Sequence, residues 1–104
     1  MKQTKTSKTT TTPRRPYVVI RTYSAGVHVG TLAARRGQEV DLVDARRIWH
    51  WKGANTLHEI ALRGVGPGSR VSEPVGAITL TQAVEVITAT PVARANLEAA
   101  QWTP

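Results

Sequence analysis

The sequence predicts an α+β protein, mainly an antiparallel β meander or small barrel-like sheet with one or two short helices. Three observations support this fold class. Several short segments are rich in β-branched residues, and some of them alternate apolar with polar positions. Glycine-containing turn signals separate the segments of the first half. Two later segments begin with residues that commonly cap helices.

The first two strands are predicted at Tyr17–Tyr23 and Val27–Ala34, because both segments are rich in β-branched residues. A Ser-Ala-Gly turn joins them, with Gly26 at a position that requires a positive φ. Gly30 lies in the middle of the second strand. A glycine there indicates a bulge or a close approach of another backbone segment.

Two further strands are predicted after a turn at Gly37. Glu39–Asp44 alternates apolar with polar side chains, as a half-exposed strand does, and ends in a turn at Asp44. Ala45–Lys52 is predicted to be the fourth strand. The first half of the domain is therefore expected to form a four-stranded antiparallel meander with short loops.

A first helix is predicted within residues 53–64, with Asn55 or Thr56 as its N-cap and Gly64 as its terminator. The loop that follows contains at most a short strand around Val71. One or two strands are expected within residues 77–90.

A closing helix follows, with Thr90 as its N-cap and Pro91 at the favoured first position. Trp102 is expected to fold back onto the domain. No internal repeat is present.

Residues 1–16 form a basic Thr/Lys-rich tail, expected to be disordered, ahead of a single small β-rich domain at residues 17–104. The tail has five Lys/Arg and no acid, a charge of +5, whereas the remainder has nine against seven, +2. It is either a solvated arm or an arm that lies on a polyanion or a neighbouring subunit. Its candidate contact residues are Lys2, Lys5, Lys8, Arg14 and Arg15.

Several classes of site lack their sequence signatures. The chain has no cysteine, which excludes disulfides, thiol catalysis and Cys-type zinc sites. The histidines at positions 28, 50 and 58 have no metal-ligand spacing, and Ser24 lacks the context of a catalytic nucleophile. The glycine-rich segment 64–70 is not followed by the Lys-Ser/Thr of a phosphate-binding loop. We therefore predict no enzymatic activity, no cofactor, no metal and, without a long apolar run, no membrane span.

The segment Asp44–Gly53 is the strongest candidate for a binding site, because it combines two tryptophans with four basic or imidazole side chains. In an extended strand, one face would carry Ala45, Arg47, Trp49 and Trp51, and the other Arg46, Ile48, His50 and Lys52. A Trp/Arg face can stack a nucleobase while guanidinium groups bind its phosphate. The candidate ligand or anion-binding residues are Arg21, Tyr23, His28, Arg46, Arg47, Trp49, Trp51 and Lys52.

Two interpretations of this segment remain open. In one, the tryptophans fill a core that has no phenylalanine, and Arg46, His50 and Lys52 form the working surface. In the other, Arg47, Trp49 and Trp51 form the binding platform, and the opposite face is solvated. The exposure of Trp49 distinguishes the two.

Four segments in this chain resemble a family of small uncharacterised proteins that is widespread in tailed bacteriophages and prophages. They are RTYSAGVHVG at 21–30, ARRIWHWKGA at 45–54 with the following TLHEIAL, and ITLTQAVEVITATPVA at 78–93. The resemblance covers nearly all of residues 17–104 and does not extend to the tail. It implies a phage-type protein in the host cytoplasm or the virion, and it implies no particular activity.

These observations favour a non-enzymatic binding protein that engages an anionic partner, either nucleic acid or a nucleotide, including a sequestered defence signal. The Arg/Trp residues and the basic arm would make the contacts. The alternative is a virion accessory protein of the capsid, neck or decoration type, whose arm contacts packaged DNA or other viral protein subunits. A homo-oligomer is expected in either case, because 88 folded residues provide only a thin core.

Overall fold

The computed structural model describes residues 15–101, which form one antiparallel sheet and two short helices and so confirm the α+β prediction. In chain order the elements are β1 Tyr17–Thr22, β2 Val27–Arg36, β3 Glu39–His50, α1 Leu57–Arg63, β4 Arg70–Val71, β5 Val75–Leu80, β6 Ala83–Thr88 and α2 Pro91–Ala99.

The six strands form a curled sheet. Hydrogen bonds link them in the order β4-β3-β2-β1-β6, and β5 pairs with β3 alongside this path. A two-residue turn joins β5 to β6. β5 pairs with β3 and β6 pairs with β1, so these two neighbouring strands bind to opposite sides of the three-stranded β1–β3 meander. The sheet therefore bends around one of its own faces, in agreement with the barrel-like prediction.

β3 is one strand of 12 residues, so the prediction of two strands separated by a turn at Asp44 was wrong. Asp44 has a φ of 49°, but β3 pairs with β2 on both sides of it. The register shifts there, because Val29 pairs with Arg46 while Thr31 pairs with Val43. A bulge takes up the extra residue without reversing the chain. The meander consequently has three strands, β1 to β3.

Gly30 lies opposite this bulge, as the sequence predicts for a glycine inside a strand. A Cβ atom at Gly30 would stand 3.1 Å from the Ala45 Cα and 3.1 Å from the Val43 carbonyl oxygen. Only a glycine therefore allows β2 and the bulged part of β3 to approach this closely.

The sheet has apolar residues on both faces. One face, here called the helix face, includes Val19, Val29 and Ile48 and packs against Ile60 of α1 and Leu97 of α2. The other face, here called the concave face, includes Val18, Ile20, Val40, Leu42, Ala45, Leu80 and Ala83. Because each Val, Leu or Ile side chain contributes about 1.5–3 kcal/mol when fully buried, the curled sheet gains stability from both faces.

Both helices begin at the residues that the sequence indicates. Thr56 caps α1 by accepting a hydrogen bond from the Glu59 backbone N–H, and Gly64 ends it with a φ of 84°. Thr90 caps α2 in the same way, with Pro91 in the first turn. The Thr90 hydroxyl also donates to the Leu62 carbonyl oxygen at 2.7 Å, which connects the two helices.

Some predictions concern residues outside the described range. They are the disorder of residues 1–14, the contacts of Lys2, Lys5, Lys8 and Arg14, and the placement of Trp102. Within residues 15–101, neither helix has the length and hydropathy needed to cross a bilayer.

Candidate anion-binding surface

Trp49 lies on the surface near the end of β3, with 52% of its area exposed. The guanidinium carbon of Arg70 stands 5.4 Å from the centre of the indole ring, in cation–π geometry. Arg70 belongs to β4, which pairs with the end of β3. A tryptophan and an arginine that are 21 positions apart in the sequence thus form one surface feature.

Trp51 lies on the other side of the sheet. It is half-buried and packs against the helix-face core, whereas Trp49 is on the concave side with Arg47. The strict alternation predicted for residues 45–52 is therefore wrong at its end. Two features break it, because the β3–β4 register shifts between Ile48 and His50 and the strand itself ends at His50. Of the two interpretations of this segment, neither holds for both tryptophans.

Arg46 is buried, with 6% of its area exposed, so its predicted place on a solvent-exposed binding surface is wrong. Its Nε donates a hydrogen bond to the Ser72 carbonyl oxygen at 2.8 Å. Its Nη1 donates to the carbonyl oxygens of Leu97 at 3.0 Å and Glu98 at 3.4 Å, in the last turn of α2. A cation is favourable at a helix C-terminus, where carbonyl groups lack intrahelical partners. Arg46 therefore holds α2 against the sheet.

Arg47 is exposed and lies on the concave side, opposite Arg46. Its guanidinium group extends over the β1–β2 turn, where a Cβ at Gly26 would stand 3.0 Å from Nη2. The backbone of Arg47 is fixed by Ser72, whose N–H donates to the Arg47 carbonyl oxygen and whose Oγ accepts from the Arg47 N–H. Within the described part of the chain, no carboxylate forms an ion pair with Arg47.

His28 pairs with Arg47 across the β2–β3 ladder and is buried, with 6% of its area exposed. Its Nδ1 is enclosed and has no hydrogen-bond partner among the residues that the structure describes. Burial, and secondarily the charge of Arg47, lowers the pKa of His28 below its usual value. The imidazole is therefore neutral at neutral pH and borders a cavity of about 270 Å³ next to Arg47.

Arg21 and Tyr23 do not join His28 in the way the sequence suggested. Arg21 pairs with Val27 and Glu85 on the helix-face side of the sheet, and its Nη1 is 3.8 Å from a Glu85 carboxylate oxygen. The prediction that Arg21 shares a patch with His28 and Arg47 is thus wrong, because directly paired residues share a face. Tyr23 is 80% exposed in the β1–β2 turn.

Lys52 lies close to Arg70 through the glycine-rich loop between α1 and β4. The Lys52 N–H donates to the Ser69 Oγ at 2.9 Å, and its carbonyl oxygen accepts from the Gly66 N–H at 2.7 Å. The lysine side chain passes Gly68, where a Cβ would stand 3.2 Å from its Cδ. This loop therefore supports a basic side chain.

We use the name Trp49 patch for the four residues Arg47, Trp49, Lys52 and Arg70. Arg47, Trp49 and Lys52 are candidate residues predicted from the sequence, whereas Arg70 is not. A signal was present, because Arg70 directly follows a Gly-Pro-Gly-Ser turn and precedes the apolar Val71, as a short edge strand does. The pairing of that strand with β3 is not visible in the sequence. Arg15, the described residue of the predicted tail contacts, is exposed and its carbonyl oxygen accepts from Arg94 Nη1 at 3.4 Å.

Metal ligands do not assemble in the part of the chain that the structure covers. Among residues 15–101, no group of three or more His, Asp or Glu side chains is placed to hold a metal ion. The chemistry available at the Trp49 patch consists of an exposed aromatic ring and cationic donors, which bind planar and anionic groups.

Comparisons with known proteins give one positive finding. A family described as a domain of unknown function, DUF6948, matches residues 15–97. No curated protein and no solved structure matches the chain. The matched segment begins two residues before β1 and ends within α2, so it takes in the sheet, α1 and most of α2. With most of its length matched, this chain belongs to the DUF6948 family.

Proposed function

We propose that this protein is a non-enzymatic, phage-type binding protein that engages single-stranded nucleic acid through the Trp49 patch and the basic N-terminal arm. The observation that supports this proposal most directly is the exposed indole of Trp49 with the Arg70 guanidinium group over its ring. An exposed tryptophan can stack a base, and guanidinium groups beside it can bind the adjoining phosphates.

The neighbouring charges support this choice of partner. Arg47, Lys52 and Arg70 are all exposed. Arg70 lies over the Trp49 ring, and Lys52 contacts the loop that directly precedes Arg70. Arg47 and Trp49 lie two residues apart on one face of β3, a separation of about 7 Å. A base on Trp49 thus has cationic groups within reach on both sides, which suits a chain of alternating bases and phosphates.

The mode of binding predicts weak sequence selectivity. The Trp49 patch contains no Asn, Gln, Asp or Glu, the side chains that distinguish base edges most often besides arginine. Stacking and phosphate neutralisation tolerate every base. Affinity should therefore depend strongly on salt and only slightly on sequence.

Fluorescence anisotropy with the full chain and a labelled single-stranded oligonucleotide, measured from low to high salt, tests the proposal. Trp49→Ala should weaken binding by about 1–3 kcal/mol, the value of one stacked base. Arg47→Ala and Arg70→Ala should each reduce the slope of log K against log salt by about 0.7, the contribution of one phosphate contact on a single strand.

Arg21→Ala is the matched control, because it removes one exposed arginine from the helix-face side and leaves the Trp49 patch intact. It should change the affinity little. An absence of binding at the lowest salt would overturn the proposal, as would an equal effect of Arg21→Ala and Arg47→Ala. The expected homo-oligomer remains a prediction, which sedimentation or light scattering of the full chain measures.

A further inference from the structure

A small cavity opens at one end of the curled sheet, between the β1–β2 turn and the β5–β6 turn. Its volume is about 270 Å³. Ile78 and Leu80 provide its apolar part, and His28, Arg47 and Gln82 are among the polar residues that border it. The mouths of small barrel-like sheets are common ligand sites, because the turns there supply polar groups above an apolar interior.

The lining of the cavity carries positive charge without a compensating acid. Among residues 15–101, Arg47 is the only charged residue that borders the cavity, and no Asp or Glu of that range borders it. Thr79, which borders the cavity, donates its hydroxyl hydrogen bond to an Asp41 carboxylate oxygen at 2.7 Å. That carboxylate is already paired with Arg36 at 3.1 Å. The cavity therefore favours an anion.

His28 is the second observation that points to a ligand. The residue has 6% of its area exposed, and neither of its ring nitrogens has a hydrogen-bond partner in residues 15–101. Because Nδ1 is enclosed, Nε2 is the nitrogen left to reach the cavity that His28 borders. A buried imidazole without partners is costly, and a ligand oxygen at Nε2 would relieve part of that cost.

Gln82 adds a third donor from the opposite side. The Ser24 hydroxyl donates to the Gln82 Oε1 at 2.8 Å, which leaves the amide NH₂ group of Gln82 as a donor toward other partners. The three donors come from three elements, namely β2, β3 and the β5–β6 turn. Such a convergent set suits an oxyanion with several terminal oxygens better than a planar carboxylate with two.

The size of the cavity indicates a ligand that is larger than a free inorganic ion. Since liquid water occupies about 30 Å³ per molecule, the cavity has the volume of about nine waters. A phosphate group alone fills only part of that space, and the remaining wall at Ile78 and Leu80 is apolar. A phosphate that carries an organic group of the size of a sugar or a base matches both parts.

We propose that the cavity between the β1–β2 and β5–β6 turns binds the phosphate monoester of a nucleotide, with Arg47, the Nε2 of His28 and the amide of Gln82 as its donors. The inference rests on the proposed function in one respect, because Arg47 also belongs to the Trp49 patch. The cavity would add a preference for a terminal phosphate. A surface that only neutralises the phosphates within a nucleic-acid strand would not show this preference.

The test compares adenosine 5′-monophosphate with adenosine on the full chain, by calorimetry and by NMR of the histidine side chains. The monophosphate should bind at least about tenfold more tightly, the worth of one or two charge-assisted hydrogen bonds. It should also shift the imidazole resonances of His28 and leave those of His58, on α1, unchanged. Equal binding of the two compounds, or unmoved His28 resonances at saturation, would overturn the proposal.

Two variants separate the cavity from the Trp49 patch. His28→Gln and Gln82→Ala should each weaken monophosphate binding about tenfold. Gln82 is exposed, and Gln82→Ala removes only the exposed Ser24 hydrogen bond and keeps the backbone carbonyl oxygen that accepts from the Tyr23 N–H, so this variant keeps the test valid if His28→Gln does not fold. Neither variant should alter the binding of an oligonucleotide without a terminal phosphate. Unchanged monophosphate affinity in Gln82→Ala contradicts the assignment.

The two proposals fail in different ways. A protein that binds the oligonucleotide but does not distinguish the monophosphate from adenosine retains the proposed function and loses the phosphate cavity. A protein that binds the monophosphate through His28 but no oligonucleotide retains the cavity and loses the proposed function.

Discussion

Arg46 and Leu97, 51 residues apart, are joined by a hydrogen bond of 3.0 Å from the Arg46 Nη1 to the Leu97 carbonyl oxygen. The same guanidinium group also bonds to the loop after β4 at Ser72. One side chain thus connects β3, this loop and the C-terminal turn of α2. In a chain whose sheet is covered by short helices, this contact substitutes for packing area that longer helices would provide.

Arg46→Met should lower the free energy of unfolding by about 2–3 kcal/mol. Methionine keeps most of the apolar length, but the carbonyl groups of Ser72 and Leu97 lose a charged donor. Arg63→Met is the control, because the Arg63–Glu59 pair on α1 is solvent-exposed and worth less than about 0.5 kcal/mol. Urea unfolding measures both. Equal losses in the two variants would refute the role assigned to Arg46.

Tyr17 predicts a loss of stability in strong alkali. Burial raises the pKa of Tyr17 to about 12, above the usual value of 10.0, and its hydroxyl has no partner in the described chain. As the pH rises, Tyr17 therefore ionises in the unfolded chain before it ionises in the folded chain. The contribution of Tyr17 to the free energy of unfolding is intact below pH 10 and is lost as the pH rises toward 12. The loss should be on the order of 2 kcal/mol.

Tyr17→Phe should remove this part of the pH dependence and leave stability at neutral pH equal or higher, because it deletes an unpartnered buried hydroxyl. Tyr23→Phe, at the exposed tyrosine, should leave the alkaline profile unchanged. Thermal unfolding at several alkaline pH values distinguishes them. A profile in Tyr17→Phe that matches the unmodified chain would contradict the prediction.

The burial of His28 predicts a loss of stability as the pH falls, opposite to the alkaline loss expected for Tyr17. Its pKa is lowered by burial and by Arg47, so the folded state disfavours the protonated imidazole. The contribution of the neutral His28 to the free energy of unfolding is intact above the usual pKa of 6.5 and is lost as the pH falls below that value. Unfolding free energies measured across this range should decline less in His28→Gln than in the unmodified chain. His58→Gln, an exposed histidine on α1, should decline as the unmodified chain does.

Gly30→Ala should destabilise the fold by about 1–3 kcal/mol, because the new methyl group meets two backbone atoms of β3 at 3.1 Å. Backbone cannot rotate away as a side chain can. Gly76→Ala is the matched control, since a Cβ at Gly76 has nothing within 4 Å. Denaturant unfolding compares the two. A neutral Gly30→Ala would mean that the bulge at Asp44 can shift.

The helix caps illustrate what local sequence predicts well. Thr56, Gly64, Thr90 and Pro91 occupy the expected positions, because capping depends on residues within one turn of each other. The turn glycines Gly26 and Gly37 likewise have the positive φ that their turns require. Interactions over three or four residues are visible in the sequence without any knowledge of the tertiary fold.

The candidate binding surface was predictable only in part. Arg47, Trp49 and Lys52 were identified from composition and alternation, but Arg46 is buried, and Trp51 packs on the core instead of sharing a face with Trp49. Alternation holds only while a strand is regular, and β3 contains one bulge at Asp44 and another beside Trp49. Bulges depend on the partner strand, which the local sequence does not specify.

By itself, the sequence determined the fold class, the helix boundaries, the turns at Gly26 and Gly37, and the concentration of basic and aromatic residues near Trp49. Only the tertiary structure decided that β3 is continuous, that Arg46 binds the end of α2, and that His28 borders a cavity with Arg47 and Gln82. The physical reason is the range of the interactions. Caps and turns are formed by neighbours in the chain, whereas each of these three features joins segments that only the curled sheet brings together.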